Sequence, residues 1–327
     1  GSGSKANQEN AIAMGTGSKA TGTNAMALGA GSEASGTGSL ALGSGSKADQ
    51  DNAIAMGTGS QATGTNAMAL GAGSEASGEN GLAVGADSSA TNTNSLAIGS
   101  GSTATGMNST AIGAGSGSTG ENSLSLGAGA TASAYGSTSI GGFSNAAGTN
   151  SIAIGFNACA QSANSFVLGT GATAIGDNSG AIGALALTNG IDAMAIGVKA
   201  NATGNYSFAI GTQACAINIG AIAVGTNSIA NGSNSSAVGT NAVASGNESM
   251  AFGFNALATE DRSFVIGACA QACQSGAGAI AANAKANGTD SLAIGVNSVA
   301  NGDSSIAIGV NSNAALANAL AVGTNSI

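Results

Sequence analysis

An all-β fold, a parallel β-solenoid of fourteen-residue coils, is what this sequence predicts. Three observations predict it. Starting at Gly15, glycine recurs at every fourteenth position to Gly323 without an insertion, and Ala281 is the single departure. Within each unit, residue size alternates with a period of two, the signature of a strand. The composition is that of a repeat rather than an ordinary domain: 56 glycines, no proline, 6% charged and 3% aromatic residues, yet 43% apolar ones, which is more than a disordered chain carries.

Positions are numbered here from the recurrent glycine. Position −1 is always apolar, as in Met14, Leu70 and Ile308, and position −3 usually is, as in Ile12, Phe166 and Phe264. Positions −4 and −2 are small almost throughout, as in Ser151 and Ala153. A second alternating stretch follows, small at +3 and +5 (Ser18 and Ala20) and mostly polar at +4 and +6 (Lys19 and Thr21). Glycine or asparagine dominates around +7 and −5, where left-handed backbone is expected at the turns. Two short strands and two tight turns per unit make a flattened coil whose lumen admits only Ala, Ser, Gly or Thr. The small sets therefore point inward, and the large set at −3 and −1 points outward. About 23 such coils at ~4.8 Å each form a rod of about 110 Å, read as one repetitive domain over residues 1–327.

The outward apolar stripe is the anomaly. Two such side chains per coil, each contributing about 1.5–3 kcal/mol when buried, form a continuous band larger than a soluble monomer exposes. It reads as an obligate subunit seam. The residues expected to line it include Ile12 and Met14, Met26 and Leu28, Ile54 and Met56, Leu96 and Ile98, and Ile152 and Ile154. Further along come Phe208 and Ile210, Ile222 and Val224, Leu292 and Ile294, and Ile306 and Ile308. Ala281, and Gly180, Gly278, Ser236, Thr110 and Thr138 at −3, are departures where looser layers are expected.

The units Asn150-Ser-Ile-Ala-Ile-Gly155, Asp290-Ser-Leu-Ala-Ile-Gly295 and Ser304-Ser-Ile-Ala-Ile-Gly309 resemble the NSxAIG head repeats of trimeric autotransporter adhesins, the YadA-like head. The resemblance covers the whole chain. It implies a left-handed parallel β-roll, a homotrimer, and display at the cell surface on the outer membrane of a Gram-negative bacterium. It also implies attachment to host extracellular matrix or receptor proteins, hence a virulence role. The neck, the heptad stalk and the C-terminal membrane anchor of that family are not recognisable in these residues, so any membrane association is expected only through such an anchor.

Catalysis is not expected, and neither is a metal or cofactor. There is no histidine, and the carboxylates are scattered singly, so neither a nucleophile–base pair nor a metal cluster can be assembled. Six basic against fifteen acidic residues, a net charge of −9, argue against a nucleic-acid partner. No apolar run approaches the roughly 20 residues of a spanning helix. Cys159 and Cys215 stand four coils apart, about 19 Å by strand spacing, too far to pair. Cys269 and Cys273 share one coil, and all four thiols are expected to be free.

A ligand would meet the rod at +4 and +6. There the first coils are polar (Lys19, Glu33, Lys47, Asp49), whereas later ones carry Ile175, Leu187, Ile217, Ile229, Val243 and Leu257, the candidate ligand face. Tyr135, Phe143, Phe156, Tyr206 and Phe254, with the charge cluster Glu260-Asp261-Arg262, fall on turns, as edge covers or as protruding contacts. Two competing functions are a structural spacer in a surface fibre and an ice-binding solenoid. Charges at +4 oppose the second by spoiling a lattice-matching face. A near-duplication beginning at Gly1 and again at Gly43 points to growth by whole coils.

Overall fold

The computed structural model describes residues 1–327, which form two compact units, Gly1–Asn164 and Ser165–Ile327. Both are built alike. Each coil contributes one three-residue strand at −3 to −1 and one two-residue strand at +4 to +5, so the chain is an all-β parallel solenoid of about 23 coils without a helix. In the first unit the three-residue strands run from Ile12–Met14 to Ile152–Ile154, and in the second from Phe166–Leu168 to Leu320–Val322. Every ladder is parallel and every register partner lies fourteen residues away, as in Ile12↔Met26 and Ile222↔Ser236.

The alternation read from the sequence is the alternation of burial. The lumen is a column of alanine and serine: Ala27, Ala34, Ala41 and Ala48 are inaccessible, as are Ser18 and Ser32. Its polar members are mostly satisfied locally. The Ser18 hydroxyl donates to the Gly15 carbonyl at 3.0 Å, and Ser39 to the Gly36 carbonyl at 2.7 Å, so serine at +3 and −4 caps the turn three residues upstream. The largest lumen side chains are Val167, Val265 and Thr188, all in the second unit.

The turns join the ladders because their backbone reverses sign. Strand N–H groups donate forward to the next coil, as Lys19 does to the Ser32 carbonyl at 2.8 Å. At 0, +2 and −5, φ is positive and the N–H points backward instead: Gly29 donates to Met14, Gly31 to Thr16 and Asn24 to Glu9. Turn and strand donors are thereby used between coils, which accounts for the lack of proline.

The glycine at 0 has two reasons to be glycine. Its φ lies between 121° and 150°, and a Cβ on Gly225 would stand 2.6 Å from the Gly239 carbonyl oxygen. Ala281 takes this place at a φ of 100°. Position +7 differs from the sequence expectation. Its glycines are not left-handed; they are small because the coils touch there, a Cβ on Gly232 falling 1.9 Å from the Gly246 carbonyl oxygen. The second left-handed site is +2, occupied by glycine in most early coils and by asparagine in most late ones.

Candidate binding surfaces

Three surfaces leave the coil: the outer side of the three-residue strands, the outer side of the two-residue strands, and the turns. On the first stand all the residues expected at a seam. Ile12 and Met14, Met26 and Leu28, Ile54 and Met56, Leu96 and Ile98, and Ile152 and Ile154 point away from the lumen in the first unit, half-buried or exposed. Phe208 and Ile210, Ile222 and Val224, Leu292 and Ile294, and Ile306 and Ile308 do the same in the second. The register aligns them in two columns, as in Phe208↔Ile222 and Ile210↔Val224.

The two glycines of that column are filled from within the chain. Gly278 is buried because the Phe264 ring lies where its side chain would be, 2.3 Å from the place of a Cβ. Gly180 is likewise covered, by the Met194 thioether at 2.7 Å. A small residue at −3 is thus matched by a large neighbour one coil away, which leaves no notch in the column at these two places.

The two-residue strands differ between the units. In the first, the +4 column reads Lys5, Lys19, Glu33, Lys47, Gln61 and Glu75. Lys47 and Asp49 form an ion pair at 2.7 Å, and the Asp49 carboxylate, by hydrogen bond and charge, holds the Lys47 ammonium above its usual pKa. Lys19 and Glu33 are 3.9 Å apart. These are solvated contacts of small energetic weight.

In the second unit the register stacks Cys215, Ile229, Val243 and Leu257 on consecutive coils. Ile217 stands at +6 beside Cys215, and Ile219 follows on the turn, exposed. Ile175 and Leu187 are set apart: Asn201 lies between Leu187 and Cys215 in the column. Of the six residues expected at a ligand face, Ile217, Ile229, Val243 and Leu257 therefore form one patch. Cys215 belongs to it as well, and stepping through +4 fourteen residues at a time would have found it. Burial pushes the Cys215 thiol pKa up, and the hydrogen bond from the Asn201 amide, 3.8 Å away, partly opposes this. All four cysteines are free and half-buried.

The turns carry asparagine ladders. Side-chain amides link Asn52, Asn66, Asn80, Asn94, Asn108 and Asn122 at −5 in the first unit, at 3.0–3.2 Å. In the second unit the ladders run at +2, through Asn227, Asn241 and Asn255, and through Asn283, Asn297, Asn311 and Asn325. Tyr135, Phe143, Phe156, Tyr206 and Phe254 all stand on turns and are exposed, so they do not close the coil edges by burial. Asp261 accepts from the backbone N–H of Asn247 at 2.8 Å, a structural use of one member of the charge cluster.

No three His, Cys, Asp or Glu side chains converge as metal ligands, and no helix is long and apolar enough to cross a membrane. The family model of the YadA head domain repeat (2 copies) matches along both units, at 1–60, 62–88, 90–116, 118–158, 189–214, 216–242, 244–268 and 275–326. The chain belongs to the YadA head repeat family. A comparison with curated proteins found no match. A YadA-like head is an adhesin-type module, and residues 159–188, which contain Cys159, Ile175 and Leu187, are the longest stretch between matched segments.

Proposed function

We propose that this chain is the head of a trimeric autotransporter adhesin, a left-handed β-roll held at the bacterial outer membrane by a membrane anchor. The observation that carries the reading is the pair of outward apolar columns at −3 and −1 in a chain of the YadA head family. Isolated Leu or Ile on a surface is ordinary, but apolar columns repeated coil after coil are the composition of an obligate interface. Three chains would bury those columns against one another.

With the seam assigned to that side, the opposite sheet meets host matrix or receptor proteins. The patch at Cys215, Ile217, Ile229, Val243 and Leu257 is the part of it fitted for docking, because it joins apolar side chains on adjoining strands. Three copies per trimer turn a weak contact into avidity.

The test is adhesion of the intact trimer to a panel of matrix and receptor proteins, with and without Ile229→Ser, Val243→Ser and Leu257→Ser combined. Trimer mass is expected to stay the same and adhesion to fall at least tenfold. Undiminished adhesion of the triple variant would remove the ligand face from this sheet. A spacer role is the second reading, favoured for residues 1–164 by their polar, ion-paired outer face. Lysine and glutamate in that column speak against ice binding.

A further inference from the structure

We propose that the turn bearing Phe143, Phe156 and Asn157 is a binding site for a neutral saccharide, separate from the apolar patch of the second unit. The first ground is local strain without return. Phe143 sits at +2 with φ at 56°, a left-handed position that most coils fill with glycine or asparagine. A bulky residue there is a backbone outlier. Burial does not offset it, for the side chain is 61% exposed.

The second ground is geometry. Phe143 and Phe156 lie on consecutive coils with ring centroids 5.9 Å apart and planes at 88°, an edge-to-face pair. Phe156 is 54% exposed. Each ring rests over a glycine of the preceding coil: Phe143 over Gly129, where a Cβ would come within 2.8 Å, and Phe156 over Gly142, within 3.4 Å. Glycine at those places gives the rings a floor, so the pair forms a fixed corner at the turn.

The third ground is an idle amide. Asn157 follows Phe156 at +2, where Asn227, Asn241 and Asn255 spend their amides on a ladder. Phe143 stands where the preceding coil's asparagine would be, and the Asn157 side chain is exposed with no partner in the chain. The fourth ground is charge: no charged residue occurs between Glu121 and Asp177.

Together these select a ligand class. Aromatic rings more than half exposed accept a C–H surface, and the amide of the next residue offers N–H donors and a carbonyl acceptor. A pyranose presents both at once, C–H groups on a face and hydroxyls on its edge. A cation would be drawn to the rings but would find no carboxylate here, and a purely apolar segment would leave the amide unused.

The experiment titrates the full-length chain, as assembled, with lactose, cellobiose and N,N′-diacetylchitobiose by saturation-transfer NMR. Sialyllactose and tetramethylammonium serve as charged counterparts. At least one neutral disaccharide is expected to bind, with signal transfer from the aromatic protons. Phe143→Gly should weaken it at least tenfold while the Tm stays level or rises, since glycine relieves the positive φ. Asn157→Ala should weaken it about threefold or more. The proposal is overturned if no neutral disaccharide binds at millimolar concentration, or if either charged probe binds more tightly. It is equally overturned if Phe143→Gly lowers the Tm or changes the assembled mass, since the ring pair would then be packing.

Discussion

Residues 1–164 and 165–327 share one coil but distribute their chemistry in opposite ways. The first unit puts lysine and glutamate on the outer sheet, runs its asparagine ladder along the −5 turn and keeps its lumen to small residues such as Ala and Ser. The second puts Ile229, Val243 and Leu257 on that sheet, moves its longer ladders to the +2 turn and admits Val167, Val265 and Thr188 to the lumen. The backbone requires only that +2, −5 and 0 take positive φ, which at 0 glycine supplies everywhere but Ala281. Any residue able to adopt the conformation can supply the ladder, and the outer sheet is left free to carry surface chemistry.

The largest test of this comparison concerns the proposed seam, for the outward apolar columns are alike in both units. Ile152→Asp with Ile154→Asp, and separately Ile222→Asp with Val224→Asp, place two carboxylates on the outward columns. If the proposed trimer is right, each pair should convert it to monomer, as read by light scattering. Dissociation by one pair alone would confine the seam to that unit.

The lumen comes next. Val265→Ala removes two methyl groups from an inaccessible site and should destabilise the chain by about 2 kcal/mol. The reverse exchange in the other unit, Ala97→Val, should cost about 1–3 kcal/mol through overpacking. Guanidinium unfolding measures both, and a neutral Ala97→Val would mean the first lumen has room to spare.

The ladders follow. Asn241→Ala loses two amide contacts and forces a Cβ-bearing residue without a polar side chain into φ of 56°, for about 1–2 kcal/mol. Asn241→Gly should cost less than half of that, because only the amides are lost. Asn80 in the first unit should repeat the pattern, and equal costs for Ala and Gly at either site would assign the stability to the amides alone. The smallest effect is a gain: Ala281→Gly should raise stability by about 1 kcal/mol, since the alanine occupies a glycine conformation.

Much of the coil was legible in the sequence. Gly15 to Gly323 gave the period, and the small–large alternation around Ala153 and Ile154 gave the inside and outside, because a strand's side-chain direction is a local property of period two. The patch was partly legible: Ile229, Val243 and Leu257 stand fourteen apart, and counting alone aligns them. Cys215, also at +4, counts by sequence as a small semi-apolar surface residue, and its place in the patch comes from its register with Ile229.

What the sequence by itself determined is the repeat, the lumen and the two outward apolar columns, all consequences of spacing along one chain. Tertiary structure alone decided the rest. Glycine stands at +7 because a Cβ there, as on Gly232, would fall 1.9 Å from the next coil's carbonyl oxygen, not because of its own φ. Gly278 is filled by Phe264, and Phe143 meets Phe156 edge to face, because ring direction is set by the neighbouring coil. Those facts depend on how one coil lies on the next, which spacing along the chain does not encode.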